Sequence, residues 1–544
     1  TTHTPVEAGH ERFSKELMEH YFSGFVKRTG IPWSQFWELG RKASGEDKPF
    51  FMTVLALKLA QRSNAVSQIH GRVSRRMWHD VWKGFHETDT PIRHITNGVH
   101  VMSYMAPRMK ELIETYLGME CGTMISDPAV WTKIQDISDA LLWRTRHEIK
   151  QKTIAFLSDY ISKNWEKYGY TKMWQEELLS RINPAAMLIG FARRFAPYKR
   201  AGLLLDDLDR LDRILNHKTR PVHIIFAGKA HPNDEMGKSL IKRVIDVCKD
   251  ERFRGKIFFI EDYDIRVARH LVQGVDLWLN TPRRPYEASG TSGIKAAANG
   301  VLNLSISDGW WAEGYDGTNG WTIGAVDKGG YPEDMLHTDD EDSKSLYSLL
   351  ENSVIPTFYD RGVSGLPEKW ISMIKRSLQT MVPKFTSERM LLQYYNEMYL
   401  PAMTRAGELS EDSYKMAREL ADWKLKIPMR FSSLKILDVN IVGLHGSTVL
   451  VNKPLLVEVK IDPGRLEPGE ILVEMAVGKK EGRDFINDPE LVPLKITNSG
   501  PDGTLTFSVS YVVQDNGPHS YGIRVMPYNK NALYRHEAGL ILWG

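Results

Sequence analysis

Arg193, Arg194, Lys199 and Arg200 crowd one short stretch, Phe191-Ala-Arg-Arg-Phe-Ala-Pro-Tyr-Lys-Arg200, directly after an apolar run at Met187 to Gly190. A second stretch, Glu287-Ala-Ser-Gly-Thr-Ser-Gly-Ile-Lys295, follows the apolar run Val275 to Asn280 and opens a helix through Ala296 to Ala298. A glycine-rich turn into a helix start favours anions, because free backbone N–H groups and the positive end of the helix dipole point outward together. Arg and Lys side chains at a strand end do the same with charge, and a pair of phosphate groups needs several such donors. Each stretch also has a plain structural reading: a solvated basic face, or a close strand-to-helix turn. Found on one sheet, the two together point to a site for two phosphate groups. It is not a nucleotide P-loop, since the Gly-x4-Gly-Lys-Ser/Thr spacing is absent.

The elements that must position these residues are legible from periodicity. Short apolar runs at Met187 to Ala192, His223 to Ala227, Ile257 to Ile260, Val275 to Asn280 and Val301 to Ile306 alternate with polar helical segments. That alternation predicts a parallel sheet covered by helices, with its ligands at the carboxyl ends of the strands. Residues 11 to 180 are mostly helical in period, as in Phe51 to Arg62 and Ile134 to Trp165, with a loop-like stretch at Thr88 to Val99. The segment from Asp342 to Lys426 is helical again, with breaks expected at Pro356 and Pro383, and a boundary falls near Met429. Beyond it, Leu505, Phe507, Val509 and Tyr511 alternate with Thr506, Ser508 and Ser510, and turn signals recur at Asp502 to Gly503 and Asp515 to Gly517. Those are marks of an antiparallel β-sandwich.

Composition bounds the rest. The 544 residues exceed what one core supports, so several domains are expected. Lys plus Arg number 71 against 68 Asp plus Glu, so a net charge of +3 gives no general reason to expect nucleic acid or an anionic membrane. The only cysteines, Cys121 and Cys248, support neither a disulfide framework nor a metal site, which fits a reducing cytoplasm. No apolar run approaches the length of a membrane span, and the first residues do not read as a signal segment.

Six motifs in order carry a resemblance to the glycogen and starch phosphorylases: Thr2-His-Thr4, Asn64 to His70, Thr96-Asn-Gly98, Tyr198-Lys-Arg200, Gly228-Lys-Ala230, and Glu287 to Lys295 with Asn299-Gly300. The likeness runs from the first residue to about Gly324. It is strongest to the shorter bacterial and archaeal form, judged by Asp308-Gly-Trp-Trp-Ala-Glu-Gly-Tyr315. The resemblance implies an α/β fold of two Rossmann-like domains, the glycosyltransferase B type. Residues 1–182 would be the C-terminal part of the first domain, which would be incomplete. Residues 183–385 would be the second domain, 386–428 a helical return segment and 429–544 the β-sandwich. On that basis this chain is expected to be a fragment, with apolar helix faces left exposed and no turnover of its own.

The same resemblance implies α-1,4-glucan phosphorolysis with pyridoxal 5'-phosphate as cofactor and α-glucan, or maltodextrin, and inorganic phosphate as partners. Lys295 matches the lysine that holds the cofactor, with Arg193, Tyr263, Thr291 and Gly293 around it. Arg194 and Lys199 match the residues that bind the phosphates. Glu287, Ser289, Gly290, Asn97 and His70 match positions near the glucosyl hydroxyls. The likeness leaves room for a homo-oligomer and implies no metal, nucleic acid or membrane. Two positions depart from the family pattern: Asp264 stands where a basic residue is common, and the stretch after Val99 continues to Tyr104 rather than a tryptophan. The aromatic group Trp310, Trp311, Tyr315 and Trp321 suits stacking on sugar rings and core packing equally. Two other functions share this architecture or these residues: a nucleotide-sugar glycosyltransferase, and a glucan-binding protein without catalysis.

Overall fold

In the computed structural model, the described residues are 1–42, 49–118, 125–164, 171–326, 339–444, 446, 448–481, 485–486 and 489–544. Cys121 lies outside them. The chain divides into two compact units, one formed by residues 1–9, 64–74 and 93–397, the other by 10–63, 75–92 and 398–544.

The first unit is built on a six-stranded sheet of β1 (Met187–Ala192), β2 (Val222–Ala227), β3 (Ile257–Ile260), β4 (Leu277–Asn280), β5 (Leu302–Ile306) and β6 (Gly320–Ile323). All pairings are parallel, and the order is β6-β5-β4-β1-β2-β3. Between successive strands run α1 (Leu208–Leu215), α2 (Glu235–Lys249), α3 (Ile265–Gly274), α4 (Ser292–Ala297) and α5 (Gly309–Gly314). Every residue of β1, β2, β4 and β5 is buried, as continuous apolar strands covered on both faces should be. The strand order reverses between β1 and β4. A crevice opens at such a switch point, outside the carboxyl ends of the two strands. Both anion-favouring stretches, one after β1 and one after β4, begin there.

The entry to β4 is pinned by the helix Asp139–Asn164. Buried Arg146 donates to the carbonyls of Gln273, Val275 and Asn299 at 2.6, 2.7 and 2.8 Å. Lys150 pairs with Asp276 at 2.5 Å, and the same carboxylate accepts the Leu188 N–H of β1 at 2.8 Å. Burial pushes the Arg146 guanidinium down to about 10, so its three carbonyl partners stand in for water. Trp165, at the end of the helical period, lies outside the described residues.

Several local expectations shift. The apolar period at Phe51 to Arg62 yields a helix only over Met52–Leu59, after a short strand at Phe50–Phe51. The stretch Thr88 to Val99 holds a short strand, Ile92–His94. Pro356 does not break the helical path. It falls in the first turn of the helix Ile355–Tyr359, and a π-helical turn, Leu350–Val354, leads into it; a proline in a first turn removes an N–H that the helix does not use.

The second unit contains two antiparallel sheets. One has the order Lys435–Val442, Pro454–Asp462, Leu505–Val512, Lys495–Ser499; the other runs Phe485–Ile486, Ile471–Glu481, His519–Pro527, Leu542–Trp543, with Glu490–Pro493 also paired to Ile471–Glu481. Val457, Val459 and Ile461 from the first sheet share one core with Val473, Met475, Ile523 and Val525 from the second. The sheets do not close on themselves alone. Arg524 is fully buried and pairs with Asp89 at 2.5 Å and Glu474 at 2.7 Å, and Trp543 Nε1 donates to the Gly84 carbonyl at 2.8 Å. A small core of Met18, Val26, Phe36, Trp37 and Phe50 also lies in this unit, while Leu17, Tyr21 and Phe25 of the helix Lys15–Thr29 are exposed.

Candidate active site

The turn after β1 is welded to its neighbours by backbone groups. Arg193 N donates to the Ala227 carbonyl and Phe195 N to that of Lys229, so the segments following β1 and β2 continue the sheet beyond its strands. A Cβ on Gly228 would lie 2.1 Å from the Arg193 carbonyl oxygen, so the approach needs glycine there. On the other side, Thr281 Oγ1 donates to the carbonyls of Lys199 and Arg200, both at 3.2 Å, and Arg283 N to that of Tyr198 at 2.6 Å. The basic stretch is thereby laid against the segment that leads from β4 to Glu287.

The four basic residues do not converge. Lys199 Nζ and an Arg193 nitrogen lie 2.6 and 2.5 Å from the same oxygen of Glu287, Oε2. A second Arg193 nitrogen donates to the Asn280 side chain at the end of β4. Arg200 turns away. It is buried, donates to the carbonyls of Thr281 and Pro282, and pairs with Asp342 at 2.7 Å and Asp339 at 3.0 Å. Arg194 is exposed, next to the Tyr198 hydroxyl.

Electrostatics follow from this packing. Burial pushes the Lys199 ammonium down to about 8, with Arg193 adding to the effect and Glu287 opposing it. Burial alone would raise the Glu287 carboxyl, but Arg193 and Lys199 outweigh it and hold the group below its ordinary value. Asp308 behaves in the opposite way. Fully buried, it is pushed up to about 7, although its two oxygens accept the N–H groups of Glu287 at 2.9 Å and Gly309 at 2.8 Å.

Lys295 lies in α4, half-buried, its Nζ 4.2 Å from the centroid of the Tyr104 ring. Among the described residues its Nζ has no ion-pair or hydrogen-bond partner. Tyr263, whose hydroxyl burial pushes up, feels both Arg193 and Tyr104 and so belongs to the same neighbourhood. Asp264, the departure beside it, caps α3 by accepting the Val267 N–H at 2.8 Å. Gly293 packs against β5: a Cβ there would meet Asn303 Oδ1 at 2.5 Å and the Trp310 ring at 2.7 Å. Thr291 precedes α4 without capping it, leaving its hydroxyl unused by the helix. Gly290 has φ +71°, and the Ser289 hydroxyl is buried with no hydrogen-bond partner among the described residues.

His70 is buried, and its Nδ1 accepts the Val66 N–H at 3.4 Å. Asn97 sits in a loop whose N–H donates to the Val66 carbonyl. The next residue, Gly98, lies so close to Thr386 that a Cβ would be 2.1 Å from its carbonyl oxygen. Of the aromatic group, Trp310, Trp311 and Trp321 are core residues, which removes them as a sugar platform, and Tyr315 is half-buried against Trp311. Sequence reasoning missed Asn280, Asp308 and the contact role of Tyr104. The aspartate had a signal, since Asp308-Gly at a strand end is a helix N-cap pattern.

A profile of the carbohydrate phosphorylases matches residues 35–314, and a profile of the glycogen phosphorylase C-terminal domain matches residues 432–544. The chain belongs to the carbohydrate phosphorylase family. Maltodextrin phosphorylase of Thermococcus litoralis is 39% identical over 100% of this chain and 62% of its own length. Glycogen phosphorylase of Mycobacterium tuberculosis is 36% identical over 99% of the chain and 62% of its length, and that of Aquifex aeolicus 40% identical over 75% and 58%. The chain thus spans less than two thirds of the length of these phosphorylases. Both stretches that motivated the anion site fall within the first matched region. No described helix is long and apolar enough to cross a membrane, and no described group of three or more His, Cys, Asp or Glu side chains could hold a metal ion.

Proposed function

We propose that this protein is an α-1,4-glucan phosphorylase, a hexosyltransferase that releases glucose 1-phosphate from the non-reducing ends of glucan or maltodextrin with inorganic phosphate. The observation that carries the reading is the meeting of Arg193 and Lys199 on Glu287 at the β1/β4 switch point, beside the α4 turn that bears Lys295.

The residues fit pyridoxal 5'-phosphate in one specific respect: Lys295 is half-buried with its Nζ over the Tyr104 ring, and no carboxylate among the described residues pairs with it. Lys295 would hold the cofactor covalently, with Thr291, Gly293, Tyr263 and Arg193 around it. Bound there, the cofactor supplies a second phosphate group that exchanges a proton with the inorganic phosphate. Lys199 and Arg194 would hold the inorganic phosphate against its partner, offsetting their repulsion. Glu287, Ser289, Gly290, Asn97 and His70 would orient the glucosyl unit.

Glu287 links the two halves of this site. Without substrate its carboxylate neutralises Arg193 and Lys199. An arriving phosphate supplies a replacement anion, which frees the carboxylate to accept from sugar hydroxyls. The inorganic phosphate then gives its proton to the glycosidic oxygen as the C1–O bond breaks, and its own oxygen bonds C1 on the same face. No acid–base pair of side chains is required. The other carboxylate at this turn, Asp308, has both oxygens engaged by backbone N–H groups and is not poised as a hydrolase acid.

The test is a comparison of donors and acceptors. With the natural full-length protein, maltoheptaose and phosphate should give glucose 1-phosphate, while UDP-glucose or ADP-glucose with a maltooligosaccharide should give no chain extension. Extension from a nucleotide sugar, or glucan binding without either reaction, would replace this reading by one of its two rivals.

A further inference from the structure

We infer that Glu313 is a positioning residue for the sugar side of the proposed site, an inference that rests on the phosphorylase reading. It lies in α5, a helix of six residues whose two tryptophans are buried. Its carboxylate is spent on two distant loops. Thr96 Oγ1 lies 2.9 and 2.8 Å from its two oxygens, and the Gln68 N–H donates to it at 2.9 Å.

Those two contacts stand immediately beside the proposed sugar residues. Thr96 precedes Asn97, and Gln68 is the first residue of the helix that carries His70. The two loops are also joined to each other, through Ile95 N to the Ala65 carbonyl at 2.9 Å and Asn97 N to that of Val66 at 3.0 Å. A third strut runs from Ser67 Oγ to the Ala288 carbonyl, inside the turn that bears Glu287 and Ser289. At the other end of α5, its N-cap Asp308 holds the Glu287 N–H. One short helix therefore fixes three elements at once: Asp308 sets the backbone of Glu287, and Glu313 sets the loops of His70 and Asn97.

The arrangement has a chemical logic. Charge-assisted hydrogen bonds to a carboxylate are stronger and shorter than neutral ones, and small misplacement of positioning groups is costly to a reaction. A hydroxyl and a backbone N–H from separate loops converging on one carboxylate define a distance between those loops that neither loop defines alone. Loss of Glu313 should therefore be felt by the sugar and not by the phosphates, whose ligands sit on the segments after β1 and β4.

Steady-state phosphorolysis of maltooligosaccharide by the natural full-length protein and by its variants Glu313→Ala, Glu313→Gln, Thr96→Val and Glu313→Ala/Thr96→Val tests this. Glu313→Ala should raise the glucan KM about tenfold, equivalent to about 1.4 kcal/mol, with the phosphate KM and the bound cofactor within twofold of wild type. Glu313→Gln, which keeps the shape and one acceptor oxygen, should recover part of the loss. Thr96→Val should reproduce part of the effect, and the double variant should be no worse than Glu313→Ala, since Glu313→Ala already removes the Thr96 contact. An unchanged glucan KM in Glu313→Ala, or an equal rise in both KM values, would overturn the inference while leaving the phosphorylase reading intact. Absence of glucose 1-phosphate release by the wild-type full-length protein would instead overturn that reading, and this inference with it.

Discussion

Glu287 Oε2 lies 2.6 Å from Lys199 Nζ, and both side chains are buried. The carboxylate favours a charged Lys199, whereas burial, Arg193 and Arg194 push the ammonium down. At about 8 the lysine keeps its proton at neutral pH and loses it on modest alkalinisation. Phosphate use should accordingly weaken as pH rises through about 8. In Glu287→Gln the support is gone, the lysine titrates lower, and the phosphate KM should rise already below that pH. Phosphate KM against pH for the two proteins reads this directly, and superimposable profiles would contradict it.

Asp308 makes a prediction about stability. Its carboxyl is pushed up to about 7 by burial, from a model-compound value of 3.8. The folded state therefore binds a proton that the unfolded state has released over that interval. Stability from this group is full below pH 4 and is lost as pH rises towards 7. Asp308→Asn carries no charge to desolvate, so urea midpoints should vary less between pH 4 and 7 in the variant than in the wild type. An unaltered slope would mean that Asp308 is ionised throughout.

Asp89 and Arg524 are far apart in sequence, yet they form a buried pair in the second unit. Breaking such a pair leaves a charge without its partner, at a cost of about 3 kcal/mol or somewhat more; Glu474 remains beside Arg524 to limit the loss. Asp89→Ala should lower the denaturant midpoint accordingly, and excised 432–544 should be less stable than the same sheets in the whole chain. A midpoint within error of wild type would assign the pair no structural role.

How much of this could be read in advance depended on distance along the chain. β1 and β3 were visible to the residue because a buried parallel strand is a continuous apolar run bounded by turns. The anion-favouring stretches were visible for the same reason: each follows its strand directly. Partner choice was not. Arg200 belongs to Asp339 and Asp342, and nothing local distinguishes it from Lys199, whose counter-ion is Glu287. Trp310 and Trp311 carry the same ambiguity, since a sugar platform and a core residue share a composition; only burial decides. Arg524 and Asp89 show no pattern at all, because a buried pair between distant segments leaves no period in the sequence.

The cofactor assignment has its own check. Incubation with pyridoxal 5'-phosphate, borohydride reduction and peptide mapping should place the label on Lys295, the lysine in the glycine-rich turn whose Nζ faces Tyr104. Lys295→Arg should take up none. A label recovered on another lysine of active protein would refute the assignment.

The most direct test of the central claim is ³¹P NMR of the natural full-length protein with pyridoxal 5'-phosphate, maltoheptaose and inorganic phosphate. The phosphorylase reading predicts loss of the phosphate signal in step with growth of α-glucose 1-phosphate, and no free glucose. A constant phosphate signal, or glucose released without phosphate consumption, would contradict it.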